Sequence, residues 1–151
     1  MTPQDLVEIE ALRQLKARYF RLMDLKQWQA WGDLFTEDAT LDTTQEAPDA
    51  RASGREAIVA MVSGAVRNVV TVHHGHMAEL GLTGPGQAAG IWAMEDYLEF
   101  PGDPSPLVIH GRGHYEETYR KGSDGAWRIH SLKLTRLWLQ HNGRRVLPPP
   151  G

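Results

Sequence analysis

The 151-residue chain has no cysteine, no long apolar run and no concentration of charge of one sign. Without cysteine there is no disulfide, no thiolate nucleophile and no Cys-ligated zinc, and such a chain suits a reducing compartment. No apolar stretch approaches the twenty or so residues that a membrane-spanning helix needs. The N-terminal MTPQDLVEIEAL carries acidic residues and lacks the apolar centre of a signal peptide. A soluble, cytoplasmic protein with no membrane partner is therefore expected. Lys and Arg (16) and Asp and Glu (19) are scattered, and the formal net charge is -3, so the basic footprint of a nucleic-acid binder is missing.

What is present reads as one globular domain over residues 1–151, with 41% hydrophobic and 23% charged residues. Leu6, Ile9, Leu12, Leu15, Tyr19 and Leu22 recur at three- and four-residue spacing, which predicts a helix running from a Thr2 cap and Pro3 to about Asp24. QWQAWGDLF predicts a second short helix and ATLDT, residues 39–43, a short strand. TQEAPDARASG reads as a loop. A third helix is expected after it, opened by a Ser53…Glu56 capping box, with Ile58, Met61, Val62 and Val66 turned inward. Beyond residue 69 four long β-rich segments follow, with hairpin turns at Gly84-Pro85-Gly86 and Gly122-Ser123-Asp124-Gly125 and a loop at 101–106. The tail HNGRRVLPPPG reads as irregular, ended by its three prolines. Helices first and an antiparallel meander after them predict an α+β fold, with helices on one face of a curved sheet.

Three of the seven histidines fall in TVHHGHMAEL, residues 71–80. On a strand, neighbouring side chains point to opposite faces, so His73 opposes His74, while His74 and His76 share a face. A His74–His76 pair lacks a third ligand at clear spacing, and no metal and no cofactor is expected. Asp96 alternates with Trp92, Met94, Leu98 and Phe100; a carboxylate on such a face is desolvated and functional, or paired, or displaced to the surface by a bulge. His110 and His114 share a face with Arg112 and Glu116 and are read as solvent-facing. Tyr115 and Tyr119, on the other face, are read as core or pocket wall. Arg136 alternates with Leu132, Leu134 and Trp138; it reads foremost as exposed, but turned inward it would bind a substrate carboxylate, phosphate or enolate oxygen.

The element order, together with RYFRLMDLKQWQAWGDLFTEDATLD, TVHHGHMAEL, GIWAMEDY, HGRGHYEETYRK and DGAWRIHSLKLTRL, resembles the SnoaL-like branch of the nuclear-transport-factor-2-like superfamily. The resemblance runs from residue 8 to residue 138. It implies a cone-shaped α+β barrel, in which helices close over a strongly bent, mostly antiparallel sheet and leave a deep pocket. The superfamily includes scytalone dehydratase, bile-acid 7α-dehydratase, a hexachlorocyclohexane dehydrochlorinase, isomerases, polyketide cyclases and non-enzymatic transport factors. By likeness to the dehydratases, Asp24 orients His73, His73 removes a proton, Tyr19 stands five residues before Asp24, and Asp96 matches a pocket carboxylate. The dehydrochlorinase has a lysine where Tyr19 stands.

The expected function is that of a cofactor-independent, dehydratase-like lyase acting on a hydrophobic small molecule. His73 is its base, Asp24 the orienting group, Tyr19 and Asp96 assist the departing group, and Trp92, Tyr115 and Arg136 hold substrate. An isomerase or polyketide cyclase on the same scaffold and a non-catalytic ligand-binding or dimerisation module are the alternatives. A homodimer or larger homo-oligomer is expected through the open face of the sheet, because the last two strands carry Trp, Leu and Tyr in number.

Overall fold

Helix α1 spans Pro3–Asp24 in the computed structural model, which describes all 151 residues. Its start follows from local chemistry: the Thr2 hydroxyl accepts from the Asp5 N–H, and the Asp5 carboxylate accepts from the Thr2 N–H, a reciprocal cap ahead of Pro3. Ile9, Leu12, Leu15, Tyr19 and Leu22 form the buried stripe, but Leu6 is exposed, and Lys16 is fully buried within it. Helix α2, Trp28–Gly32, buries Trp31 beside Tyr19 and Phe35.

The predicted capping box at Ser53 does not form. Helix α3, Arg55–Val66, is capped by Gly54 at φ 95° with no side-chain cap. Ser53 is still part of a strand there, paired with Thr40, so its side chain is not free to turn back on the helix. Ile58 is buried, while Met61, Val62 and Val66 are half-buried because they face empty space.

The strands are β1 (Phe35–Asp42), β2 (Arg51–Ser53), β3 (Val70–Gly84), β4 (Gln87–Phe100), β5 (Leu107–Lys121), β6 (Trp127–His141) and β7 (Arg144–Leu147). They form one sheet in the order β2-β1-β6-β5-β4-β3, with β7 added to β6. All pairs are antiparallel except β1 with β6. The α+β expectation holds, but the sheet is open rather than closed into a barrel: β2 and β3 are its two edges. The tail is not irregular either. Asn142 and Gly143, both at positive φ, make a tight turn that folds β7 back onto β6.

Two registers set the inner face. On β3–β4, His73 lies opposite Asp96. On β5–β6, Gly113 faces Arg136 while Arg112 faces Trp138, so Leu137 is an extra residue. That bulge breaks the alternation expected along the last strand. Arg136 points inward with Leu132 and Leu134, whereas Trp138 turns outward beneath the Arg112 guanidinium and against His110. The outer face of the last two strands is therefore less apolar than expected, since Tyr115, Tyr119, Leu132 and Leu134 are all buried inside.

Candidate active site

A cavity of about 450 Å³ lies between the inner face of the sheet, the end of α1, α3 and the loop of residues 43–50. Its walls are mostly apolar, among them Met23, Val62 and Leu98, and its polar floor is made by Tyr19, His73, Asp96, Tyr115 and Arg136. A wider groove of about 710 Å³ crosses the outer face of the sheet among Thr40, Glu79, Thr83, Glu116 and Lys133, but no histidine or tyrosine lines it. The expected site residues Tyr19, His73, Asp96, Tyr115 and Arg136 all line the inner cavity.

Helix α1 packs on β3 and brings its last residue, Asp24, against the start of that strand. The His73 ring Nδ1 is 2.7 Å from Asp24 Oδ1, and the His73 backbone N–H donates to Oδ2 at 2.9 Å. The Thr71 hydroxyl donates to Oδ1 at 2.9 Å. A carboxylate at the negative end of a helix dipole is badly placed, so these donors are what hold it. Burial pulls the Asp24 carboxyl up; the hydrogen bonds from the His73 ring and backbone and from Thr71 outweigh it, and the net direction is downward. Asp24 is thus an acceptor, and the shared proton resides on Nδ1. That leaves Nε2 as the basic position in the neutral ring. Phe20 lies nearly parallel to the imidazole, with 6.3 Å between ring centroids.

On the far side of the ring, Nε2 lies 3.8 Å from Asp96 Oδ2. Asp96 is 2% exposed and takes both arms of the Arg136 guanidinium, each at 2.8 Å. Arg136 also donates from Nε to Glu46 at 2.6 Å. Burial works against the charge on Arg136, but Asp96 and Glu46 more than restore it, and its proton affinity is raised. The reading of Arg136 as exposed is overturned: unbroken alternation with Leu132 and Leu134 turns it to the inner face, and the bulge at Leu137 diverts only the residues after it. Its expected role as an anion binder is also weakened, because two carboxylates already occupy the guanidinium. Room for the pair comes from Gly111: a Cβ there would lie 2.0 Å from Arg136 Nη1 and 2.6 Å from Asp96 Oδ1.

Tyr19 and Tyr115 meet edge to face with ring centroids 5.9 Å apart. Burial drives both phenols upward, and the Glu117 carboxylate pushes Tyr19 the same way against a hydrogen bond from Tyr115. Both phenols therefore hold their protons. The outlier among the expected site residues is Trp92. It does not line the cavity: its Nε1 donates to the Tyr119 hydroxyl at 2.9 Å, and its ring packs where Gly75 lacks a side chain. His74 and His76 are exposed with rings 6.4 Å apart, and no three His, Asp or Glu side chains form a group able to hold a metal ion.

Thr71, Gln45 and Glu46 join the site through contacts distant in sequence, with no local motif to mark them. Gln45 clamps the 43–50 loop to β6, accepting from the Arg136 N–H at 2.6 Å and donating to the Arg136 carbonyl at 3.1 Å. A signal for the Arg136 site did exist: glycines at 111 and 113, inside an otherwise regular strand, mark close approach of other groups.

The comparisons with known proteins agree with this fold. A protein from Gibberella zeae named "Probable cyclase FGR4" is 26% identical over 137 residues, spanning 84% of this chain and 89% of its own. Among solved structures, a candidate scytalone dehydratase from Novosphingobium aromaticivorans superposes with a TM-score of 0.83 at 22% identity, covering 100% of this chain and 98% of its own. The hexachlorocyclohexane dehydrochlorinase LinA-type3 from Novosphingobium barchaimii gives 0.78 at 19% identity, covering 98% of this chain and all of its own. These two likenesses are of fold. The model of the SnoaL-like domain matches residues 4–133, which is most of the sequence. The chain belongs to the SnoaL-like family.

Proposed function

We propose that the protein is a dehydratase-like lyase acting on an uncharged, hydrophobic small molecule, with His73 as general base and Asp24 as its orienting partner. The observation that carries this reading is the 2.7 Å contact between His73 Nδ1 and Asp24 Oδ1, behind a base nitrogen that faces an apolar cavity. His73 Nε2 takes a proton from a carbon next to a carbonyl, and the electron pair left on that carbon forms the new double bond as the C–O bond to the leaving hydroxyl breaks. The proton taken by His73 passes to the departing hydroxide and leaves as water. The imidazolium formed in between lies between two carboxylates, Asp24 and Asp96, which favour its charge. Tyr19 and Tyr115 donate hydrogen bonds to the developing oxygen charge. Their phenols are too weakly acidic in this setting to give up a proton.

Charge supports the substrate class. Glu46, Asp49 and Asp96 line the cavity against the single cation Arg136, which Asp96 and Glu46 already engage. An anionic ligand meets net repulsion there, so a neutral ring system is the better fit. Cyclisation or isomerisation would employ the same base. The cyclase-named relative keeps that reading as the alternative.

The experiment is a screen of neutral hydroxy-carbonyl compounds, reading loss of water by mass and the new conjugated double bond by absorbance. On any hit, Asp24→Asn is expected to lose roughly 10²–10⁴-fold in turnover, with His73→Ala losing at least as much and the double variant little more. Full activity in both single variants would remove the mechanism.

A further inference from the structure

We propose that Lys26 and Thr71 are positioning residues for the His73–Asp24 dyad: Lys26 fixes the direction of the Thr71 hydroxyl, and that hydroxyl restrains the basicity of Asp24. The proposal rests on the dyad reading above and adds two residues to it.

The geometry runs in one direction. Lys26 Nζ lies 2.7 Å from Thr71 Oγ1, and Thr71 Oγ1 lies 2.9 Å from Asp24 Oδ1. An ammonium has donors and no lone pair, so the Thr71 oxygen must accept from it. The single Thr71 proton is then left for Asp24. Thr71 is 4% exposed, so water has little access to reverse this order. Oδ1 of Asp24 therefore takes two donors, Thr71 and the His73 ring. Each hydrogen bond drawn to the carboxylate lowers the negative charge it offers to His73. A carboxylate left unrestrained would hold the imidazolium too well and keep the base occupied.

The second observation is where Lys26 stands. Helix α1 ends in a motif in which the Lys26 N–H donates to the Met23 carbonyl and the Gln27 N–H to the Leu22 carbonyl, both at 2.9 Å. The residue at this point must be left-handed, and Lys26 has φ 60°. Glycine is the residue that suits it, because it has no Cβ to clash. A lysine held there is strained, and its ammonium is anchored on Thr71. Strain of this kind concentrates at working sites.

Other groups that titrate or carry charge near the dyad come from several elements. Asp96 from β4 and Arg136 from β6 face the ring across the cavity, with Glu46 and Asp49 on the loop above and the phenols of Tyr19 and Tyr115 beside them. Arg13 and His74 share the shallow outer groove that reaches His73, and α3 contributes apolar side chains to the cavity. All of these are unchanged in the variants below, so differences report on Lys26 and Thr71.

Thr71→Val removes the hydroxyl at constant shape. The His73 Nδ1–H proton resonance of the resting protein is expected to move downfield, because Asp24 becomes a stronger acceptor. With a substrate in hand, the acid limb of kcat/KM is expected to move to higher pH by roughly 0.5–1 unit. Thr71→Ser should restore both. Lys26→Gly is expected to shift both in the same sense by a smaller amount, while its thermal midpoint stays level or rises as the strain is released. A Thr71→Val resonance and acid limb that match the parent would overturn the proposal, as would a Lys26→Gly variant that loses thermal stability and leaves the resonance in place. If the resonance moves as expected but His73→Ala keeps full turnover, the hydrogen-bond chain stands and the lyase reading fails.

Discussion

Two clusters of buried charge share helix α1 and the inner face of the sheet, and they have opposite characters. In the first, Lys16 and Glu117 have side chains with no exposure at all and pair directly. The Lys16 ammonium sits 3.7 Å from the centre of the Tyr19 ring and 3.8 Å from that of Tyr115. Tyr119 donates to the other Glu117 oxygen, and Trp92 donates to Tyr119. Burial pulls the Lys16 ammonium down to about 8 against the opposing pull of Glu117. In the second cluster, Arg136, Asp96 and His73 are nearly as buried, yet they border open space. Burial and charge are common to both. What separates them is an empty volume large enough for a molecule, with an imidazole at its edge. Tyr19 and Tyr115 join the two: each ring rests on the Lys16 ammonium and also borders the cavity.

The sharpest way to break this contrast is Lys16→Met. It strands the Glu117 carboxylate in the core, and the loss of a buried partner costs about 3–5 kcal/mol. Replacing Glu117 by Leu in the same chain should recover most of that in urea unfolding. A single variant as stable as the parent would show that the sealed cluster is not structural. Gly111→Ala attacks the cavity cluster instead. Its new Cβ collides with the Arg136–Asp96 pair, and overpacking of this kind costs about 1–3 kcal/mol. A crystal structure of that variant is expected to have the guanidinium displaced from Asp96; an undisturbed pair would contradict the close fit.

The smallest effect is on pH. The folded-state carboxyl of Asp24 lies below its ordinary value of about 3.9. The unfolded chain therefore binds the proton first as acid is added. The stability contributed by Asp24 is complete well above that value and fades as pH falls through it toward the lower folded value. The gap in urea midpoint between the parent and Asp24→Asn should narrow from pH 7 to pH 3. A gap that is constant over that range would mean the carboxylate is not held by its donors.

Much of this architecture was legible in the residues. The apolar stripe of α1, the Thr2 cap and the four long strands follow from spacing and turn chemistry, and both depend on neighbours in sequence. His73 could be separated from His74 for the same reason, since alternation is a local property. The pairing of Asp96 with Arg136 could not be read, because it depends on strand register. Lys16 and Glu117 are 101 residues apart, and nothing local announces their meeting. The strand β7 is masked by the three prolines that follow it, although Asn142-Gly143 is a strong hairpin signal. Trp92 shares a strand face with Asp96, but the strand runs on past the cavity, and position along a strand is not visible in its period.

Gln45 has a meaning beyond fastening the loop. Past Asp42 and Lys133, the last pair joining β1 to β6, no strand continues on that side of β6 until β7 begins its pairing at Leu139. The stretch between would offer bare backbone donors and acceptors, the kind of edge on which another chain can add itself. One side-chain amide meets both the N–H and the carbonyl of Arg136, as a neighbouring strand would. Gln45 thus acts as a strand one residue long, and Gln45→Ala would be expected to open a place where copies of the protein could stick together.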